Sequence, residues 1–452
     1  MMTADLIIIG AGPGGYETAV RAAKAGVKTV IVEQGQAGGT CLNVGCIPTK
    51  CFCRNAQLLK DLKESDVLGL TDVSYKFDMA KVIERKNQVV ANLVSGVDGL
   101  LKHPNITRVQ GKARFVDPHH ISVDRSESET DFEATNIIIA TGSVTKFLPI
   151  PGKDLPKVLT STEILDLTEV PERLTVIGGG VIGLEFASIF NAFGTKVTVL
   201  EYCKEILPNF DADISKRLKA SLKNTGIEIV NNAAVNKIED NGTCYTVGYE
   251  LKGEQQGVDA DIVLMAVGRA ANTGSLNLDD VGIAYDRRGI TVDENYQTNV
   301  PGVYAIGDIN GICQLAHAAS FQGRRALNHI LGRPDQLRLD VIPAAVFTMP
   351  EAACVGLTSE QLKEKGIDFK AHKGFFRANG KALAMNETDG MVKILTAEDN
   401  TILGCHMFGP HAADLVQEVA SLMTRDAKLD ELENTVHAHP TLGEVVMQAA
   451  EN

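Results

Sequence analysis

One local pattern occurs twice in this 452-residue chain, and nothing else constrains its fold so tightly. Residues 6–9 are an apolar run and Gly10-Ala11-Gly12-Pro13-Gly14-Gly15 a turn; residues 16–25 follow with helical spacing, and an apolar run at 29–32 closes on Glu33. The pattern returns with an apolar run at 174–177, then Gly178-Gly179-Gly180-Val181-Ile182-Gly183, a helical stretch at 184–193, and a run at 196–200 closing on Glu201. In both copies the same interval separates the first glycine from the acid. Each reads as a strand-turn-helix-strand unit. Gly10 and Gly178 allow the tight turn, Gly12 and Gly180 let the backbone approach a pyrophosphate, and Gly15 and Gly183 let the helix pack closely on its strand. The helix N-terminus then faces the anion, and the acid is placed to accept from a ribose. The chain therefore carries two dinucleotide-binding units of matched design.

The length calls for about three domains. A content of 44% hydrophobic and 22% charged residues is ordinary for a soluble protein. The net charge of −13, without a basic block, argues against nucleic acid as the main partner. No apolar run approaches the roughly 20 residues that span a bilayer, so no membrane association is expected. The first strand begins almost at the initiator Met, which leaves no room for a signal peptide and makes a cytoplasmic protein the expectation. Nine cysteines, most of them scattered, do not form a secreted disulfide framework.

Two of those cysteines stand in Gly38-Gly39-Thr40-Cys41-Leu42-Asn43-Val44-Gly45-Cys46-Ile47-Pro48-Thr49-Lys50. On a regular helix, positions five apart lie roughly 8–9 Å apart, whereas a disulfide tolerates at most about 6.8 Å between Cα atoms. A bond between Cys41 and Cys46 thus requires a distorted segment, and Pro48, with no N–H for the Val44 carbonyl, supplies a cause. So short a loop removes little unfolded-state entropy, which makes such a disulfide labile rather than a staple. On the residues alone a zinc half-site or two buried thiols remain open. Residue for residue, however, the stretch resembles the redox site of the flavoprotein disulfide reductases, the pyridine nucleotide-disulfide oxidoreductases, and most of all the members that act on dihydrolipoamide. The resemblance implies a catalytic disulfide and no metal.

The position of Cys41 just after the first unit assigns the ligands. FAD is expected on Gly10, Gly12, Gly15 and Glu33, with Lys50 near the flavin; NAD is expected on Gly178, Gly180, Gly183, Glu185 and Glu201. An acid at Glu201 favours the free 2′-OH of NAD over the 2′-phosphate of NADP, and Tyr202-Cys203-Lys204 offers no Arg. As bare sequence, Lys50 and Glu185 read as surface charges. Residues 136–140 with Thr141-Gly142-Ser143 resemble the family's segment closing the FAD domain, which adds Thr141 and Gly142. Residues 262–268 end the second unit, with Gly268 counted at its NAD site. Tyr304-Ala305-Ile306-Gly307-Asp308 resembles the stretch whose Asp lies against the FAD ribityl chain and phosphates. A helix is expected over 79–102; beyond about Asp340 the chain reads as mixed strands with helices at 357–365 and 410–425 and a hairpin turn at 378–384.

The expected fold is thus α/β: two Rossmann-like dinucleotide-binding domains plus a C-terminal α+β dimerisation domain. Its boundaries are residues 1–148 for the FAD domain, 149–270 for the NAD domain, 271–338 for a central segment returning to FAD, and 339–452 for the interface domain. The closing His437-Ala438-His439-Pro440-Thr441-Leu442-Gly443-Glu444 resembles the family's last signature, with His439 as base, Glu444 fixing its tautomer, and His437 the weaker candidate. The mechanism implied is that His439 deprotonates a dihydrolipoyl group, which attacks Cys41; Cys46 forms a charge-transfer pair with the flavin, and electrons pass to FAD and as hydride to NAD⁺. Lys50, partnered by Glu185, would stabilise reduced flavin.

The implied partners are a second copy in a homodimer and a lipoyl-bearing carrier domain of a 2-oxo acid dehydrogenase complex or the glycine cleavage system. Glutathione-type reductases compete with this reading but prefer NADPH; a mercuric reductase would carry a C-terminal cysteine pair; a purely structural flavoprotein would need neither the cysteines nor the His-Glu string. The sequence departs from the family pattern at Cys51 and Cys53, read as packing thiols, at Met349, in the missing Arg-Pro at Ala270-Ala271, and after His317.

Overall fold

The computed structural model describes residues 2–125 and 128–452. They form two compact units: one comprises residues up to Cys51, Ile83–Lys146 and Gly268–Leu339, the other Phe52–Val82, Phe147–Val267 and Asp340–Asn452.

In the first unit the strand Met2–Ile9 (β1) lies between Thr29–Glu33 (β2) and Glu129–Ile139, parallel to both, with Ile8 opposite Ile31 on one side and Ile138 on the other. Leu6, Ile7 and Ile8 are fully buried, as a continuous apolar run on a parallel sheet covered on both faces must be. Ile106–Gln110 extends one edge, and the antiparallel strands His120–Asp124 and Lys112–Asp117 extend the other. Val303–Ala305 joins late in sequence, parallel to Glu129–Ile139, and delivers the turn that carries Asp308. The helix Pro13–Lys24 (α1) starts with Pro, whose missing N–H costs nothing at that position, and buries the small residues Ala19, Ala22 and Ala23.

The second unit repeats the arrangement around Arg173–Ile177, flanked by Lys196–Glu201 and Ile262–Met265 in a five-stranded parallel sheet. Three antiparallel strands spanning Ala234–Asp240, Tyr245–Leu251 and Glu254–Ala260 follow its second crossover. The C-terminal part of this unit is a five-stranded antiparallel sheet in the order Ala344–Val346, Glu351–Gly356, Ile402–Gly409, Met391–Thr396, Lys370–Phe375. Val355, Ile394, Met407, Val416, Val419 and Val445 form its core with the helices Ala412–Met423 and Glu444–Glu451. Helices occur at Met79–Leu100 and Ser359–Glu364, the latter closed by a Thr358/Gln361 capping box.

The hairpin turn expected at 378–384 is not formed. A 3-10 turn, Phe376–Ala378, leads instead into the helix Gly380–Met385. Asn379 caps that helix by accepting from the Ala382 N–H at 2.9 Å, and the following Lys, Ala, Leu and Met residues are all good helix formers.

Candidate functional site

The two glycine turns have nearly the same geometry. Gly10 and Gly178 have φ of 107° and 112°, and a Cβ on either would collide with a carbonyl oxygen, Ala140 at 2.3 Å or Ala266 at 2.4 Å. A Cβ on Gly15 would sit 1.9 Å from the Gly10 oxygen, and one on Gly183 2.0 Å from that of Gly178, so both third glycines are fixed by the closeness of helix and turn. Helix α1 and the helix Val181–Phe193 start at Gly12 and Gly180 with no side-chain cap and no acid in the first turn. Each N-terminus therefore presents backbone N–H groups and a positive dipole end, the fit a cofactor pyrophosphate requires.

The acids bind their own turns. Glu33 accepts from the N–H of Ala11 at 2.7 Å and of Gly35 at 2.8 Å. Glu201 accepts from Gly179 at 2.5 Å and Cys203 at 2.6 Å, and is buried. Each carboxylate thus ties the second strand to the glycine loop.

Behind the first turn the chain folds back over it. The Gly38 N–H donates to the Ala11 carbonyl at 2.7 Å, and Gly39 approaches so closely that a Cβ there would lie 2.7 Å from the Cα of Gly12. Asn43 holds this corner by donating to the carbonyls of Ala37 and Gly39. Two helices follow, Gly39–Val44 (α2) and Cys46–Lys63 (α3), broken at Gly45, whose φ and ψ are −137° and −113°. The break falls where Pro48 leaves the Val44 carbonyl without a donor, and it replaces the regular helical path that would hold the two sulfurs apart.

The break brings the pair into hydrogen-bond contact, with Cys46 exposed and Cys41 partly covered. The hydrogen bond that Cys41 makes to Cys46 holds the Cys41 thiol well above the ordinary range; burial and the Cys46 charge push the same way, against Lys50. The raised Cys41 pKa disfavours a thiolate there, and Cys46 stands at the first residue of α3, where a helix dipole favours negative charge.

The sequence reading missed the network around Asp308. Asp308 accepts from the Ser143 hydroxyl at 2.5 Å, and Arg269 donates to that hydroxyl from Nε and to the Ser143 carbonyl from Nη2, each at 2.7 Å. Burial draws the Arg269 guanidinium down from its ordinary pKa, while the charges of Asp308 and Cys46 favour its charged form. The fully buried Gln322 braces the same turn, its carbonyl accepting from Gly307 N–H at 2.7 Å and from the Asn310 amide at 2.9 Å. Thr141 and Gly142 bind the facing strand through Asn272, whose N–H donates to the Gly142 carbonyl at 3.0 Å and whose carbonyl accepts from the Thr141 hydroxyl at 3.1 Å. The signal available in sequence was an arginine directly after Gly268. Gly268 itself, expected with the second unit, opens the last segment of the first, its carbonyl accepting from Lys146 N–H at 3.0 Å; its φ of 102° marks a turn leading into the pairing of Arg269–Ala271 with Ser143–Thr145.

In the second unit, Glu185 is not the surface charge its bare sequence suggests. It is 5% exposed, on a helix buried on most sides, and accepts from the Phe347 N–H at 3.0 Å. One turn on, the Ser188 hydroxyl accepts from Met349 N–H at 3.1 Å. Cys51 is buried, and the Cys53 thiol faces the Phe347 carbonyl at 3.6 Å.

The His439 ring is 78% exposed, and its Nδ1 lies 2.8 Å from Glu444 Oε1. The other Glu444 oxygen accepts from Thr441 N–H at 2.8 Å. That backbone bond first and His439 second hold the Glu444 carboxyl below the usual range. With Nδ1–H committed to a carboxylate, Nε2 is left as the basic nitrogen facing outward. His437 alternates inward, with Nδ1 2.8 Å from the Thr435 carbonyl and Nε2 2.9 Å from Glu418. Among the described residues no group of His, Cys, Asp and Glu is arranged to hold a metal ion, and no helix is long and apolar enough to cross a membrane.

Two dinucleotide turns, one of them covered by a cysteine pair, define a flavin-dependent disulfide oxidoreductase, and comparison with known proteins agrees. The pyridine nucleotide-disulphide oxidoreductase family matches residues 4–323, and that family's dimerisation domain matches residues 342–450. The chain belongs to the pyridine nucleotide-disulphide oxidoreductases, with FAD and NAD as cofactors. It is 44% identical over 450 residues to the dihydrolipoyl dehydrogenase of Geobacillus stearothermophilus, covering 99% of this chain and 95% of that protein. It is 40% identical over 453 residues to the mitochondrial dihydrolipoyl dehydrogenase of Pisum sativum, covering 99% and 90%. Among solved structures, the Cu(II) complex of the HOCl-induced flavoprotein disulfide reductase RclA from Escherichia coli superposes with a TM-score of 0.89 at 32% identity, covering 100% of this chain and 99% of that one. LpdA from Mycobacterium tuberculosis gives a TM-score of 0.91 at 28% identity, covering 100% and 99%.

Proposed function

We propose that this enzyme oxidises carrier-bound dihydrolipoyl groups and reduces NAD⁺: one dithiol and one NAD⁺ give one disulfide, one NADH and one proton. The observation that carries the reading is the Cys41–Cys46 pair, set in contact at a helix break directly behind the first dinucleotide turn. In the oxidised enzyme these sulfurs form a disulfide. A substrate thiolate attacks Cys41, Cys46 leaves as the thiolate, and the second substrate thiolate then releases Cys41 and closes the lipoyl disulfide. The raised pKa of the Cys41 thiol and the place of Cys46 at a helix N-terminus support this order.

FAD, when bound, supplies the two-electron relay between the Cys46 thiolate and NAD⁺. Gly10, Gly12, Gly15, Glu33, Thr141, Gly142 and Asp308 would hold it, with Lys50 contributing positive charge. Gly178, Gly180, Gly183, Glu185 and Glu201 would hold NAD. His439, oriented by Glu444, takes the substrate proton through Nε2. The match of the C-terminal segment to a dimerisation domain supports a homodimer, in which His439 serves the partner's disulfide. The carrier is the lipoyl domain of a 2-oxo acid dehydrogenase complex or of the glycine cleavage system, and the setting is the cytoplasm.

The test is steady-state turnover with dihydrolipoamide and NAD⁺, set against NADP⁺ and against glutathione disulfide with NADPH. Rapid NADH formation that Cys41→Ser abolishes is expected. Faster turnover of glutathione disulfide with NADPH would overturn the substrate assignment.

A further inference from the structure

Outside the dinucleotide turns, the first unit has a cavity of about 400 Å³ lined by Lys146, Arg269, Arg287, Arg288, Gly311 and Gln314. Four of these six residues are cationic, on a chain whose net charge is −13. Like charges so gathered repel one another, and a fold that keeps them together gains when an anion neutralises them. Arg288 is partly balanced by Asp286 at 3.1 Å, and the Arg269 guanidinium is committed to Ser143.

The cluster is built, not incidental. The turn 286–289 is seated on the turn that carries Asp308: Ile290 N–H donates to the Ile309 carbonyl at 2.9 Å. A Cβ on Gly289 would meet that same oxygen at 2.3 Å, and one on Gly311 would meet the Arg288 carbonyl at 2.3 Å. Arg287 and Arg288 are therefore held against the Gly307–Asn310 turn by backbone contacts too close for any side chain but hydrogen. Lys146 arrives from the other side, at the end of the pairing of Ser143–Thr145 with Arg269–Ala271.

We propose that this cavity binds a small multivalent phosphate anion, of the pyrophosphate or nucleoside diphosphate class, separately from the two dinucleotide turns, and that occupancy is transmitted to Asp308 through Arg269 and Ser143. Guanidinium groups match phosphate oxygens in bidentate geometry, which favours phosphate over a single carboxylate, and the volume lies in the range of small-ligand sites. The route to Asp308 is short: a ligand that draws on Arg269 alters the two bonds Arg269 makes to Ser143, and Ser143 donates directly to Asp308. The effect on flavin rests on the FAD assignment above; the binding itself does not.

The experiment is calorimetric titration of the purified holoenzyme with inorganic pyrophosphate at fixed ionic strength, with and without saturating NAD⁺, followed by the flavin absorbance spectrum at each point. Saturable binding that NAD⁺ leaves in place, that weakens roughly tenfold or more in Arg287→Glu and Lys146→Glu, and that perturbs the flavin spectrum is expected. Both substitutions are on exposed side chains, so a normal flavin content and melting temperature report intact folding. Absence of saturable binding, or binding that NAD⁺ displaces and the two variants leave unchanged, overturns the site. Binding with the expected variant dependence but no spectral change overturns the coupling to Asp308. A preparation that contains no flavin refutes the FAD assignment, while the calorimetric arm still decides the anion site.

Discussion

The two dinucleotide units are alike up to their acids and differ in what the chain then brings back over the glycine turn. Their glycine turns, collision distances and acid-to-loop bonds agree within about 0.2 Å. After Glu33 the chain returns over its own turn: Gly38 binds Ala11, Gly39 packs on Gly12, and the cysteine helices follow. After Glu201 it returns as well, Leu207 N–H donating to the Gly179 carbonyl at 3.0 Å and Ile206 packing on Gly179, but it brings apolar side chains rather than a cysteine pair, and a Cβ on Gly180 would meet nothing within 4 Å. One turn lies under a cysteine pair and the other under Ile206 and Leu207. On the proposed assignment, a lid that carries two sulfurs suits a cofactor that stays through every turnover and exchanges electrons with them, and a lid without such a pair suits one that arrives and leaves each time. On that assignment the same fold element serves as a prosthetic-group site or a substrate site according to the segment that follows it.

The largest effect should come from the lid. Cys41→Ser or Cys46→Ser should lower dihydrolipoamide:NAD⁺ activity by at least about a thousandfold, while NADH oxidation by an artificial one-electron acceptor survives, since that route needs only the two turns. Survival of the lipoamide activity would remove the distinction between the units.

Matched substitutions of the third glycines come next. Each adds a Cβ about 2 Å from a carbonyl oxygen, yet Gly15→Ala should yield protein without bound flavin. Gly183→Ala should yield yellow protein whose KM for NAD⁺ rises by roughly a hundredfold. Visible absorbance per chain and NAD⁺ saturation curves decide it, and flavin loss from Gly183→Ala would invert the assignment. Replacing Glu201 by Gln, which loses the charge but little volume, should weaken NAD⁺ about tenfold and narrow the preference over NADP⁺.

The smallest effect concerns the base. Glu444 is held below the usual carboxylate range by Thr441 and His439. Its contribution is therefore complete above the ordinary carboxylate pKa and is lost as pH falls through the depressed one. The acid limb of kcat in the native enzyme should accordingly carry no carboxylate step above about pH 4, and Glu444→Gln should reduce kcat several-fold and shift the limb that reports His439. An unchanged pH profile in that variant would show that Glu444 does not orient the ring.

The repeated turn was legible in sequence because its glycines answer to backbone collisions, which depend on local spacing alone. The cysteine break was legible for the same reason, through Pro48. Arg269 and Ser143 were not, since their roles come from pairing between segments more than a hundred residues apart, nor was Gln322, which reaches back 15 residues from a helix to the Gly307 turn; no local period marks them. Bare sequence shows Glu185 only as a surface charge, because burial of an acid on a helix is decided by what packs over it; the resemblance alone singled it out. The expected hairpin at 378–384 failed because Asn-Gly also caps helices, and the residues after it favour that outcome.

The most direct test of the two turns and their different lids is an anaerobic titration of the native enzyme with dihydrolipoamide, monitored across the visible spectrum and completed by adding NAD⁺, with Gly183→Ala alongside. Long-wavelength absorbance should grow in both proteins as the Cys46 thiolate forms beside the flavin, and NAD⁺ should discharge it in the native enzyme while leaving the variant unchanged. If dihydrolipoamide leaves the spectrum untouched while NADH bleaches it, the cysteine lid is not the entry point for electrons, and the account of the first unit is wrong.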